Sequence, residues 1–209
     1  IAARYLGRRS IIDLCGIDQL RFHPRCYYRP AEDDVPGVRE AWPAMIAAVT
    51  DNEGTITGVH RTWLDPQSHD KAAVAYPRRA MGHLLGSGVR FGKADGVMVA
   101  GEGLETLLSL RQVMPSMPMI AGLSAAHLAA IQFPAALRCL YVARDDDPAG
   151  ATALSTLTER GEPLGIAVIP LEPRLDDFNS DLAAYGHARL AAAIRVQLSA
   201  ADAVQFLKV

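Results

Sequence analysis

A chain of 209 residues, half of them apolar and 21% charged, can bury one large core or two modest ones, which excludes an intrinsically disordered polypeptide. No apolar run approaches the roughly 18 residues needed to cross a bilayer, so a membrane-spanning protein is excluded and a soluble, cytoplasmic one expected. The formal net charge of −2 divides unevenly: residues 1–93 carry 13 Lys or Arg against 10 Asp or Glu, and residues 94–209 carry 8 against 13. A mildly basic half joined to an acidic half fits a polyanion-holding surface beside an acidic metal site, although charge alone fits a solvated mixed surface as well. Three cysteines far apart (Cys15, Cys26, Cys139) suit a reducing compartment, and without a CxxC pair His23 and Cys26 do not make a zinc site. The chain opens on Ile, and IAARYLGRRS lacks the apolar core of a secretion signal, so a fragment with flanking domains outside it is expected.

In chain order, the expected elements begin with a helix over 1–9 and a Pro- and Arg-bearing loop, LRFHPRCYYRPAEDDVPG. A hairpin follows, with AMIAAVT and TITGVHRTWLD alternating apolar and polar residues around the turn DNEG. PRRAMGHLLGSGVRFG (77–92) reads as irregular chain or short Gly-rich strands. From there the grammar changes: VMVAGE (97–102), PMIAGL (118–123), LRCLYVARD (137–145) and GIAVIPL (165–171) are apolar runs suited to buried strands. Between and after them, 103–114, 124–133, 148–160 and 181–198 read as helices, with Ser124 as a cap, Pro148 in a first turn and Gly161 past an end. This order predicts an α/β fold, a parallel sheet covered by helices on both faces, behind a smaller N-terminal α+β module, with the boundary between 93 and 94.

Parallel sheets gather working groups beyond the carboxyl ends of their strands. Glu102 ends the first of these strands, Asp145 the third, and DDFNSD (176–181) follows the fourth, so the three ends could face one crevice. In an extended chain Asp145 and Asp147 would share a side while Asp146 points away, and Gly150 would allow close backbone approach at the next helix. Oxygen-only donors of this sort suit Mg²⁺ or Mn²⁺, which neutralise phosphoryl oxygens and stabilise a 3′ oxygen in phosphodiester chemistry. Taken singly, each acid reads equally as a helix cap or a solvated loop residue.

EGLET, ARDDDPAG and DDFNSD, in that order, resemble the Toprim domain of bacterial-type primases, type IA and type II topoisomerases and related nucleases, and more narrowly the primase-like proteins of phages, plasmids and integrative elements. YLGRR, LRFHP, GVHRTWLD and RRAMG…GVRFG are similar to the segment ahead of Toprim in those mobile-element proteins. The resemblance implies Glu102, Asp145 and Asp147 as catalytic residues. It implies the same three with Asp177 as metal ligands, Asn179 standing where a second acid is common. It also implies Arg61, Lys71, Arg78, Arg79 and Arg90 as contacts to nucleic acid or nucleotide. Arg144, where small residues are common, and the extra acid Asp146 depart from the pattern. His23, His60, His83 and His127 receive no role.

The implied activity is Mg²⁺- or Mn²⁺-dependent synthesis of short RNA primers on single-stranded DNA from nucleoside triphosphates. A replicative helicase or flanking domains outside the fragment are expected partners, and a membrane is not. A Toprim nuclease using the same acids with water as nucleophile is the first alternative, and a DNA-binding replication module without catalysis the second. A topoisomerase is disfavoured because no tyrosine context singles out a nucleophile.

Overall fold

In a computed structural model, which describes residues 1–208, the chain builds two sheets. After a short helix α1 (Ala2–Gly7), strands β1 (Leu20–Tyr27), β2 (Ala41–Thr50), β3 (Ile56–Trp63) and β4 (Arg78–Gly82) form an antiparallel sheet in the order β1-β2-β3-β4. The expected loop after residue 20 is therefore a strand in its first part. Pro24 is accommodated because β1 is an edge strand whose register shifts between His23 and Cys26, where no ladder bond is required.

The second sheet runs β5-β7-β6-β8-β9, from β5 (Val89–Phe91), β6 (Val97–Gly101), β7 (Met119–Ala121), β8 (Cys139–Ala143) and β9 (Ala167–Leu171). Only β5 is antiparallel. It lies ahead of residue 94 in sequence, yet it pairs with β7, so the second sheet draws its edge strand from the first half. Helices α2 (Leu104–Arg111), α3 (Ala125–Ala129), α4 (Pro148–Gly161), α5 (Phe178–Arg195, kinked at Gly186) and α6 (Ala200–Phe206) follow. The helix expected over 124–133 shortens to α3, and the closing one begins earlier, capped by Asp177, and ends before α6.

Strand alternation sorts the core. Met98, Ala100, Ile120, Leu140 and Val142 pack with Leu128, Ala153 and Leu157 from α3 and α4. Val99, Met119, Ala121, Tyr141 and Ala143 face α2 and α5, and this cluster continues through Tyr5, Leu6 and Ile11 to Met45, Ala47 and Val49 of the first sheet. One core thus joins the two halves. A smaller cluster, with Tyr28 edge-on to Trp63, fills the other face of the antiparallel sheet. Among the described residues no helix is long and apolar enough to cross a membrane, and the three cysteines are free.

Candidate active site

The carboxyl ends of β6, β8 and β9 open into a cleft of about 600 Å³ between the two sheets. Glu102, Asp145 and Asp177 line it from the second sheet's side, and Arg9, Lys71 and Arg78 from the other. One wall is acidic and the facing wall is basic.

Asp145 sits at the turn out of β8, half-buried, with an Oδ1 that is shielded and has no hydrogen-bond partner. Burial, then the charges of Glu102, Asp177 and Asp147, push its carboxyl up to about 6. Glu102 is raised in the same way, by burial and then by Asp147, with Arg78 opposing. The DDD segment is not extended: the Asp147 N–H donates to the Asp145 carbonyl at 2.8 Å, which turns the chain so that Asp145 lines the cleft and Asp147 does not. Asp147 instead caps α4, its Oδ1 accepting from Gly150 N–H at 2.7 Å, and Asp177 caps α5 by accepting from Ser180 N–H at 2.6 Å. Gly150 is required here, since a Cβ would stand 2.6 Å from the Asp145 carbonyl oxygen. Arg144 pairs with the surplus acid, 3.4 Å from Asp146 and 3.8 Å from Glu172.

Among the described residues no group of three or more His, Cys, Asp or Glu closes around a single ion position. The donors are nonetheless all oxygen, and the unpartnered Asp145 oxygen fits a hard cation held by one or two carboxylates, with water and substrate oxygens completing its shell.

On the basic wall, strand alternation separates the expected cations. His60 and Arg78 line the cleft, whereas the Arg61 guanidinium lies over Trp63, 4.9 Å from the ring centroid, on the opposite face of the sheet. Arg79 touches the cleft, but its guanidinium stacks on Tyr28 and Tyr76 and donates to the Arg29 carbonyl at 2.8 Å. Lys71 reaches the cleft from the bridge to Leu64. Arg90 does not; it lines a separate cavity. The expectation of one basic surface therefore divides into a cleft pair, Lys71 and Arg78, a far-face pair, Arg61 and Arg79, and Arg90 alone.

The sequence reading passed over Glu105, the second acid of EGLET, one helical turn beyond Glu102. It is buried, accepts from Tyr5 Oη at 2.5 Å and lies 3.7 Å from Arg78. Burial opposes its charge, yet the Tyr5 hydroxyl and Arg78 hold its carboxyl below the ordinary range. Its i, i+3 spacing from Glu102 was the available signal. His60, given no role, is buried beside this group, and burial pushes its imidazole down to about 4. Asn179 donates to the Arg9 carbonyl at 2.8 Å and to Ser109 Oγ at 2.9 Å, tying the first segment to α2. Leu123 adopts φ 75°, unusual for a branched residue, where its N–H meets the Glu102 carbonyl at 2.9 Å.

A family model for the Toprim domain matches residues 97–188, which span all four acids of the expected site. Residues 97–188 are a Toprim domain. Residues 1–91 match a domain of unknown function (DUF7146). A DNA primase domain from Pseudomonas aeruginosa superposes with a TM-score of 0.59 at 19% identity, over 94% of this chain and 71% of that one. The primase fragment of the bacteriophage T7 primase-helicase gives 0.53 at 17% identity, over 78% of this chain and 64% of that fragment. The RNA polymerase domain of Mycobacterium tuberculosis primase, in complex with a double-stranded DNA oligomer carrying an overhang, gives 0.54 at 16% identity, over 92% and 72%. No curated protein matches the chain. At these identities the likeness is one of fold: the chain has the architecture of bacterial and phage primase catalytic cores.

Proposed function

We propose that this Toprim-domain protein is the nucleotidyltransferase core of a DNA primase, joining nucleoside triphosphates into short RNA on single-stranded DNA with Mg²⁺ or Mn²⁺. The observation that carries the reading is the cleft itself, an acidic wall with one shielded, unbonded carboxylate oxygen facing a basic wall whose Arg78 stands 3.7 Å from the buried Glu105. Residues 1–93 then form the module ahead and residues 94–209 the Toprim domain, with β5 crossing from one to the other; the two family matches, 1–91 and 97–188, support that division.

Glu102 and Asp145 would hold the cation, with Asp177 beside them and Asp147 adding field rather than a direct bond. The bound cation supplies neutralisation of phosphoryl oxygens and of the leaving pyrophosphate. Where Asp145 and Asp177 hold the cation without it, Glu102, its carboxyl raised by burial, would instead take the proton from an attacking 3′ hydroxyl. Arg78 and Lys71 hold the triphosphate against the acids, and Glu105 with Tyr5 braces Arg78 from behind. Arg61 and Arg79, each stacked on aromatic rings, offer a strand-binding surface outside the cleft. The free cysteines fit a cytoplasmic location, and a helicase or flanking domains are natural partners, in a mobile genetic element or its host.

Incubation with single-stranded DNA, labelled nucleoside triphosphates and Mg²⁺ or Mn²⁺, beside Asp145→Asn, tests this on a denaturing gel. New short labelled products absent from the variant establish primase chemistry. Shortened DNA without synthesis moves the reading to a nuclease, and neither product to a binding module or a core dependent on its flanking domains.

A further inference from the structure

At the opposite end of the parallel sheet from the cleft, where β6 and β7 begin, a second cavity of about 640 Å³ lies between the β2–β3 turn and β5. It sits on the seam between the two sheets, next to the bridge of Thr50 to Gly88. Three of the shielded side-chain atoms that lack any hydrogen-bond partner belong to residues lining it: Arg90 Nη2, Asn52 Oδ1 and Gln19 Oε1.

Arg90 is the most telling of them. Its one hydrogen bond is a long one, from Nε to the Thr50 carbonyl at 3.3 Å, and burial lowers its pKa. Among the described residues no carboxylate forms an ion pair with it. Charged groups withdrawn from water are normally paired, and an unpaired one is costly unless something else neutralises it. Asp51 and Glu53 are near enough to favour its charge, but Asp51 is occupied by the N–H groups of Glu53 and Thr55 in the turn. Lys93 adds a second cation to the same cavity, whose lining also includes Asp51 and Glu53 at the β2–β3 turn.

The remaining features describe the rest of a guest. Asn52 donates through Nδ2 to the Phe133 carbonyl at 3.4 Å, which leaves its Oδ1 as the free acceptor beside that of Gln19. Pro118 and Met119 supply apolar surface. The volume is within the range of roughly 300–1,000 Å³ typical of small-molecule sites. The three unbonded atoms are shielded from solvent, so a guest meets them through a side-chain rotation to another staggered well.

We propose that this cavity binds a nucleoside phosphate whose base carries an exocyclic amino group, with the phosphate on Arg90 and Lys93 and the amino group on the carbonyl oxygens of Asn52 and Gln19. The guest bridges the two sheets on the side away from Glu102, Asp145 and Asp177. The proposal stands independently of the primase reading, since it uses none of the cleft residues and no metal.

Calorimetric titration of the whole chain in EDTA, which denies the acidic cleft its cation, tests it with AMP, UMP, inorganic phosphate and a 5′-phosphorylated dinucleotide. AMP is expected to saturate one site, with UMP and phosphate several-fold weaker. Arg90→Gln is expected to weaken AMP at least about tenfold, as loss of a charged hydrogen bond should. Arg78→Ala, in the cleft, should leave that binding intact. Lys93→Ala, at an exposed position, carries the same expectation with a smaller loss and serves if Arg90→Gln fails to fold by circular dichroism. Saturable binding of the dinucleotide but not AMP assigns the same chemistry to a nucleic-acid end. No saturable binding of any probe, equal binding of AMP, UMP and phosphate, or loss on Arg78→Ala rather than Arg90→Gln would overturn the site.

Discussion

The two sheets reach the cleft by different routes, and the contrast explains how each half contributes. In the parallel sheet, function follows strand direction: Glu102, Asp145 and Asp177 each stand just past a carboxyl end, so their convergence is a property of the topology. In the antiparallel sheet, function follows strand parity. Neighbours along β3 and β4 point to opposite faces, which sends His60 and Arg78 to the cleft and turns the guanidinium groups of Arg61 and Arg79 onto aromatic rings of the far face. An acidic site can thus be read from where strands end, while a basic one depends on a register that one residue would invert.

The largest expected effect tests the acidic wall. Asp145→Asn should lower primer synthesis by ~10³-fold or more, the scale of losing metal-assisted charge stabilisation, with an unchanged circular dichroism spectrum. Full activity in this variant would remove Asp145 from the site.

Parity is tested next. Arg78→Ala should raise the KM for nucleoside triphosphate about tenfold, whereas Arg61→Ala should leave KM within about twofold. Arg61→Ala should instead flatten the salt dependence of single-stranded DNA affinity, by about 0.7 in the log–log slope. Equal effects of the two substitutions on KM would break the division into faces.

The two walls should also answer pH with opposite sign. His60 has its folded pKa depressed to about 4 from 6.5, so the stability of its neutral form is complete above about 6.5 and is lost as pH falls toward 4. His60→Phe should reduce that acid-side loss by no more than about 3 kcal/mol, read from urea unfolding at a series of pH values. Asp145 has its folded pKa raised to about 6 from 3.8, so its cost is absent below about 3.8 and complete above about 6. In metal-free protein Asp145→Asn should therefore raise Tm near pH 8, by the few degrees that about 1 kcal/mol of solvent-screened repulsion represents, and leave it unchanged near pH 4. A Tm shift equal at both pH values would show that the carboxylates do not repel as the geometry implies.

Much of the second half was legible because its strands are buried on both faces and so appear as unbroken apolar runs, with caps and turn residues between them. β1 was not legible, since an exposed edge strand carrying Pro24 and arginines has a loop's composition, and only pairing with β2 makes it a strand. β5 fell within the stretch read as irregular chain or short Gly-rich strands; three residues, Val89–Phe91, are too few to show a period, and its pairing with β7, on the other side of the expected boundary, was hidden.

The sequence by itself determined the parallel α/β architecture and the order of the acidic strand ends, because both follow from local hydrophobic runs and from where those runs stop. Only the tertiary structure decided which acids and cations face one another. The tight turn after Asp145 diverts Asp147 to capping α4, the pairing of β3 with β4 turns Arg61 away from the cleft, and burial makes Glu105 the counter-charge of Arg78. Each of these depends on contacts between residues distant in the chain, which local pattern does not encode.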